Sequence, residues 1–261
     1  MKVVVITGAS SGIGRATAKY FAARGWKVYN LSRRLSGEAG IINIAADVTV
    51  EEEVKKAFAQ IRSESGHLDL LVNNAGFGIS GAVEFTELNE ARSQFDVNFF
   101  GTFNCIKAAL PMLKERQGRI ICISSAAAIF AIPFQSFYSA TKAAINILVS
   151  ALANELKPFK VSVCALQLGD VKTGFTGSRV KSYAGDDVYG GAIGRSVAIM
   201  EKDEQSGMSP ETIAAAIFKT ANKRKVKPIY TVGGQYKILA FLNKILPHSL
   251  VNFVIRKLYI K

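Results

Sequence analysis

Cysteine, histidine and proline are all scarce in this chain, and each scarcity excludes something. Three cysteines in 261 residues, Cys105, Cys122 and Cys164, are too few and too scattered for a disulfide framework, and none belongs to a CxxC pair. The only two histidines, His67 and His248, lie far apart, so no transition-metal centre is expected. Six prolines leave no Pro-rich linker. No uncharged apolar run reaches the roughly 18 residues that a membrane span needs. No leader precedes the first strand pattern at Lys2-Val3-Val4-Val5-Ile6, so a reducing cytosol is the expected compartment, with peripheral membrane attachment open. Acidic residues are missing from one region altogether. From Thr212 to Lys261 there are ten basic residues (Lys219, Lys223, Arg224, Lys225, Lys227, Lys237, Lys244, Arg256, Lys257, Lys261) and no Asp or Glu. Most of the net charge of +13 therefore sits in the last fifth of the chain. Such a segment is either a solvated face or an attractor for an anionic surface or partner.

What remains is a globular composition. With 49% hydrophobic and 20% charged residues, the chain can bury a large core and is not disordered. Short β-branched runs alternate with helical patterns. Strands are expected at 3–6, 27–31, 41–45, 68–72, 119–123 and 161–166, with a short one at 227–231. Between them the spacing predicts helices at about 51–65 (N-capped by Thr49), 89–97, 101–117, 137–156 and 210–222, besides one from the first turn to Arg24. This alternation implies an α/β fold, a doubly wound parallel sheet of Rossmann type, in a single domain over 1–232. The stretch 174–209 has seven glycines and breaks the rhythm, and is expected to be a lid insertion. Residues 233–261 read as two basic amphipathic helices split by Pro247.

The first strand runs into Thr7-Gly8-Ala9-Ser10-Ser11-Gly12-Ile13-Gly14 and then a helix. Glycines at 8, 12 and 14 let the turn close tightly and bring backbone N–H groups to a pyrophosphate at a helix N-terminus. The spacing is GxxxGxG rather than GxGxxG, in the strand–turn–helix context that dinucleotide binding requires. Further along stand Asp47 in Ala46-Asp47-Val48, Asn73-Asn74-Ala75-Gly76, Asn98, Ser125, Tyr138 and Lys142.

In that order and spacing the chain resembles the short-chain dehydrogenase/reductase superfamily, in its ordinary-length branch, over about residues 2–232. The resemblance implies that Asp47, with Val48, meets the adenine, and that Asn74, Ala75 and Gly76 border its ribose. It also implies that Asn98 supports a water relay to the lysine, and that Gly169, Val171 and Thr173 border the nicotinamide. The family's usual Pro-Gly reads Leu168-Gly169 here. The basic, apolar C-terminus resembles steroid- and retinol-type members.

The chemistry also follows from the residues. Tyr138 and Lys142 share a helix face, and a neighbouring ammonium is expected to draw the phenol's pKa down from its usual value near 10. Ser125 would donate to a carbonyl oxygen, with Ser124 as an alternative that family spacing disfavours. At the end of the second strand, an NAD enzyme needs a carboxylate for the ribose 2′-hydroxyl, whereas NADP needs positive charge. The chain reads Ser32-Arg33-Arg34, so NADP(H) is the expected cofactor.

The sequence thus points to an NADP(H)-dependent oxidoreductase interconverting a hydroxyl and a carbonyl. Apolar residues of the loop 129–134, and Phe175, Val180, Tyr183, Val188, Tyr189 and Ile193 of the lid, would line a pocket for a hydrophobic, steroid-, retinoid- or lipid-like substrate. The alternatives are a non-catalytic NADPH-binding protein and a membrane-surface module; nucleic acid is disfavoured by the few tail aromatics. The family resemblance implies a homodimer or homotetramer. In the tail, stripes of Ile238, Leu242 and Ile245 and of Val251, Val254, Ile255 and Leu258 are expected to pack near the pocket mouth, or to lie on anionic lipid beside Lys237, Lys244, Arg256 and Lys257.

Overall fold

The computed structural model describes residues 1–260. In chain order the elements are β1 (Val3–Thr7), α1 (Gly12–Ala22), β2 (Lys27–Ser32), β3 (Ile41–Ala45), α2 (Glu51–Ser65), β4 (Leu70–Asn73), β5 (Ile79–Ser80), α3 (Leu88–Phe95), α4 (Gly101–Arg116), β6 (Arg119–Ser125), α5 (Ser136–Glu155), β7 (Ser162–Leu168), α6 (Phe175–Ser178), β8 (Val180–Lys181), α7 (Ala192–Gln205), α8 (Pro210–Ala221), β9 (Ile229–Val232), α9 (Gly234–Ile245) and α10 (His248–Tyr259). Seven strands form one parallel sheet in the order β3-β2-β1-β4-β6-β7-β9. The strands are apolar on both faces because helices cover both. One core joins α2, α4 and α5 to the sheet through Val54, Phe58, Leu113, Ile145 and Val149. The other joins α1 and α8 through Phe21, Ile213 and Ile217, with Trp26 and Phe218 stacked edge-on against Phe21. Each fully buried Leu, Ile or Phe side chain contributes about 1.5–3 kcal/mol by leaving water.

Strand order reverses beside β1: the chain winds outward through β2 and β3, then crosses back to β4 on the other side. At such a switch point the connections leave in opposite directions, and a crevice opens at the carboxyl ends of the strands. The functional site lies there.

Three expectations need correction. Thr49 does not cap α2: the cap position is Val50, and the Thr49 hydroxyl instead donates to Asp47 Oδ1 at 2.8 Å. The two helices expected at 89–97 and 101–117 are one continuous helical run, joined by a π-helical turn over 96–100. The 174–209 insertion is not a loop. It holds α6, α7 and β8, which pairs with β5 in a two-stranded parallel sheet. Ile193, Val197 and Met200 recur one helical turn apart along α7 and bury a small core of their own.

Candidate active site

The glycine turn is held from both sides. Thr7 Oγ1 accepts the backbone N–H groups of Asn74 and Ala75, each at 2.9 Å, and Asn74 Nδ2 donates back to the Thr7 carbonyl at 2.9 Å. Gly14 packs so closely beneath that a Cβ there would stand 2.3 Å from the Gly8 carbonyl oxygen. Gly8 itself has φ +68°, a left-handed conformation that side chains resist. The Ala9 N–H donates to Asn30 Oδ1 at 2.9 Å, and Asn30, fully buried, donates to Asn43 Oδ1 at 2.8 Å. Asn30 and Asn43 went unnoticed in the sequence. Each is an amide in the middle of a strand, Asn30 buried and Asn43 half-buried, which is the signal that could have found them. At the start of α1, Ser11 makes no side-chain cap, and Ser10, Ser11, Gly12 and Ile13 line the cleft. The first-turn N–H groups are thus left for an anion.

At the end of β2, Ser32, Arg33 and Arg34 line the same cleft, with Asp47 and Val48 opposite. No carboxylate stands at position 32; the Ser32 hydroxyl turns inward to the Arg34 carbonyl. The Arg33 side chain is 75% exposed, with only a loose ion pair to Asp47 at 3.7 Å. Asp47 also accepts from the Thr49 N–H at 2.9 Å, so it shapes the start of α2 as well as the cleft wall.

Ser125 at the end of β6 and Tyr138 and Lys142 on α5 converge in the centre of the cleft. The Ser125 hydroxyl accepts the Ala127 N–H at 3.1 Å and acts on the Tyr138 phenol to lower its pKa. Ser124 lines the cleft beside it, with its hydroxyl donating to the Lys142 carbonyl at 3.3 Å. Lys142 Nζ lies 5.6 Å from the Tyr138 ring centre and donates to the Ile123 carbonyl at 2.9 Å. Burial dominates the electrostatics: the phenol is pushed up to about 12 and the lysine down to about 8. Here the structure departs from expectation. Desolvation outweighs any lowering by the ammonium, and Ser125 and Arg179, not Lys142, are what pull the phenol down.

Asn98 does not line the cleft. It sits buried in the π-helical turn, where its amide accepts from the Phe77 N–H and donates to the Phe77 carbonyl, both at 3.0 Å, and to Thr141 Oγ1 at 3.1 Å. It thereby ties the segment carrying Gly76 to the helix carrying Lys142. Irregular turns of this kind recur at functional sites.

At the far end, Gly169, Val171 and Thr173 line the cleft, and Leu168 in place of proline simply extends β7. Of the lid residues named from the sequence, only Phe175 reaches the cleft, where its ring lies 5.7 Å from that of Tyr138. Val180, Tyr183, Val188 and Tyr189 are exposed, and Ile193 is buried in the α7 core. Of the loop 129–134, Phe130 and Ile132 contribute. The sequence missed Met200 and Glu204 from α7, and Asp170. From the tail, Leu239 and Leu242 of α9, Leu246 just beyond it, and Val251, Val254 and Ile255 of α10 complete an apolar arm. The whole cleft encloses about 1040 Å³.

These residues fit a dinucleotide. The cradle under Gly8 would be filled by any Cβ at Gly14, the anion-binding helix end is uncapped, and the cleft runs unbroken from there to Tyr138. Comparison with known proteins agrees. The family model described as short chain dehydrogenase matches residues 2–184. A 3-ketodihydrosphingosine reductase of Bacteroides thetaiotaomicron is 41% identical, covering 99% of this chain and 98% of the relative. A short-chain dehydrogenase from Streptomyces avermitilis superposes with a TM-score of 0.79 at 30% identity, covering 93% and 95% of the two chains. An alcohol dehydrogenase from Thermococcus sibiricus, complexed with 5-hydroxy-NADP, gives 0.73 at 27% identity, covering 90% and 97%. A 3-ketoacyl-(acyl-carrier-protein) reductase from Brucella melitensis, complexed with NADH, gives 0.75 at 27% identity, covering 88% and 96%. With its cradle, its parallel sheet and its Ser–Tyr–Lys cluster, the chain belongs to the short chain dehydrogenase family and is a nicotinamide-dependent oxidoreductase acting on CH–OH groups.

Proposed function

We propose that the protein is an NADPH-dependent reductase of a long-chain, lipid-like ketone, with Tyr138 as proton donor. The observation that carries this reading is the convergence of Ser125, Tyr138 and Lys142 where the dinucleotide cradle meets an apolar arm walled by α9 and α10. When bound, the cofactor supplies a hydride for the carbonyl carbon. The Ser125 hydroxyl donates to the substrate oxygen and holds it beside the phenol. Tyr138 delivers its proton to that oxygen as the new C–H bond forms. A phenol raised to about 12 keeps its proton at neutral pH, which suits reduction, the direction that consumes one. Lys142, drawn down to about 8, exchanges protons readily near neutrality and stands where it can restore the phenol's. Asn98 positions Lys142 through Thr141 on the same helix.

Arg33 and Arg34, with Ser32 in place of an acid, favour the 2′-phosphate of NADPH. The relative named as a 3-ketodihydrosphingosine reductase supports a substrate with a ketone near one end of a long alkyl chain. The two 12-residue helices of the arm, each about 18 Å long, match such a chain. Exposed Phe100, Phe103 and Ile147 on α4, α5 and the turn before them support self-association into a homodimer or homotetramer. The test is NADPH oxidation with 3-ketodihydrosphingosine beside steroid, retinal and sugar carbonyls. Rapid turnover of the long-chain ketone is expected, and preference for a sugar or a compact steroid would overturn the substrate assignment.

A further inference from the structure

The two C-terminal helices are amphipathic in an unexpected sense. On α9 the face laid against the protein carries Tyr236, Ala240, Leu242 and Asn243. Of the stripe that the sequence singles out, Leu242 lines the cleft, but Ile238 is 63% exposed and Ile245 61%, and Phe241 between them is 62% exposed. These three lie at i, i+3 and i+7, so they form one ridge. On α10, Val251 and Ile255 are buried, while Leu250, Phe253, Val254 and Leu258 are exposed or half-exposed. Four of the exposed side chains, Leu239, Leu246, Val254 and Leu258, also line the cleft, so the bare apolar surface is continuous with the cleft mouth.

Nothing among the described residues covers this surface, and its charge indicates what does. Lys237 and Lys244 flank the ridge of α9, and Arg256 and Lys257 lie on α10 beside the Phe253 ring, at 5.5 and 5.8 Å. None of the four pairs with a carboxylate among the described residues. The sequence from Thr212 onward contains no acid at all. A second copy of this face would bring like charges together, which opposes self-pairing. An anionic bilayer satisfies both features at once, since apolar side chains enter the acyl boundary while lysine and arginine heads stay with the phosphates. No helix is long and apolar enough to cross a membrane among the described residues, so the contact is with one leaflet.

We propose that α9 and α10 form a docking surface for anionic lipid that seats the mouth of the cleft on the bilayer. A lipid-like ketone then enters the cleft from the membrane without crossing water; this last step rests on the reductase reading, whereas the docking does not.

The experiment is flotation of the full chain with vesicles of phosphatidylcholine alone and with about a third phosphatidylglycerol, at low and high salt. Binding to the anionic vesicles is expected to exceed that to neutral ones by roughly tenfold or more and to weaken in high salt. Two double variants, Ile238→Asp with Phe241→Asp and Lys237→Glu with Lys244→Glu, should each lose at least about tenfold of that binding. Neither alters a residue of the cleft wall, and circular dichroism checks that both are folded. Failure of the parent to float with anionic vesicles overturns the proposal, as does undiminished flotation of both folded variants. Sedimentation showing a dimer that the Asp variant dissociates, without vesicle binding, assigns the face to a second copy instead. Turnover in detergent tests the reductase reading separately, and its failure leaves the flotation result standing.

Discussion

The Tyr236 ring lies directly on Gly169: a Cβ at position 169 would come within 1.9 Å of Tyr236 Cε2. The Tyr236 hydroxyl donates to Asp170 Oδ2 at 2.5 Å. The first turn of α9 is thus pinned to the loop after β7, which borders the place where hydride transfer is proposed. The C-terminal helices are a wall of the site.

Gly169→Ala should therefore unseat α9 while leaving the sheet intact. Forcing a methyl group into a filled contact costs about 1–3 kcal/mol, and here the outer helix gives way before the backbone of β7. Limited proteolysis should release the segment after Gly233 faster than in the parent, with a lower melting temperature. Unchanged proteolysis and stability would show that the ring has somewhere else to go.

Tyr138→Phe removes the proposed proton donor and one hydroxyl from a site otherwise built of other residues. Turnover should fall by about 10²–10⁴-fold, the usual worth of a positioned acid, while cofactor binding changes little. Steady-state kinetics and a fluorescence titration with NADPH separate the two effects. Residual activity above about a tenth would remove Tyr138 from the mechanism.

The glycine turn and the Tyr138–Lys142 pair were legible in the sequence because their geometry is local. A tight turn is written in Gly8, Gly12 and Gly14, and a spacing of four on a helix puts two side chains on one face. What could not be read was tertiary. The Ala9–Asn30 bond joins residues 21 apart through the sheet. The rise of the Tyr138 phenol depends on how completely the cleft shuts out water. The apolar stripe of α9 was visible, but periodicity does not say whether a stripe meets protein or solvent, and here Leu242 turns to the cleft while Ile238 and Ile245 face out. Helix α7 was hidden by Gly190 and Gly191 at its start and by mixed charge at its end, although its buried spacing was there to find.

Lys142 makes stability depend on pH in a definable window. Its folded pKa of about 8 lies below the ordinary 10.5, so between these values the unfolded chain binds more protons than the folded one. Stability from this group therefore rises as pH increases from about 8 to 10.5, and the penalty for burying its charge is fully present below 8. Lys142→Met should erase that component. Melting temperatures measured at intervals from pH 7 to 10 should show the variant's advantage level up to about pH 8 and shrinking above it. A constant difference across that range would mean the lysine is not desolvated.

Arg33→Ala should erode any preference for NADPH over NADH. Arg33 is exposed, so solvent screens it, and its contact with a 2′-phosphate should contribute about 1.5 kcal/mol, the low end for a charge-assisted bond. NADPH affinity should thus drop by roughly tenfold while NADH affinity stays put. Calorimetric titration of both cofactors reads this directly. Equal affinities in the parent protein would contradict the NADP assignment.

Leu242 projects from α9 into the apolar arm, away from Ser125, Tyr138 and the glycine turn. Leu242→Trp should shorten the space for an alkyl chain without touching the reacting groups. If the arm holds the chain, KM for a long-chain ketone rises by about tenfold or more, since each methylene denied burial forfeits about 0.8 kcal/mol. A short, water-soluble ketone never reaches the arm, so its kcat/KM should be unaffected, and NADPH binding should be the same in both proteins. Comparing kcat/KM across ketones of increasing chain length therefore measures where the arm begins to matter. In the parent protein the value should climb with each added methylene and then level off, and in the variant it should level off earlier. Parallel curves for parent and variant would mean that the chain leaves the cleft by another route, and that α9 and α10 play no part in choosing the substrate.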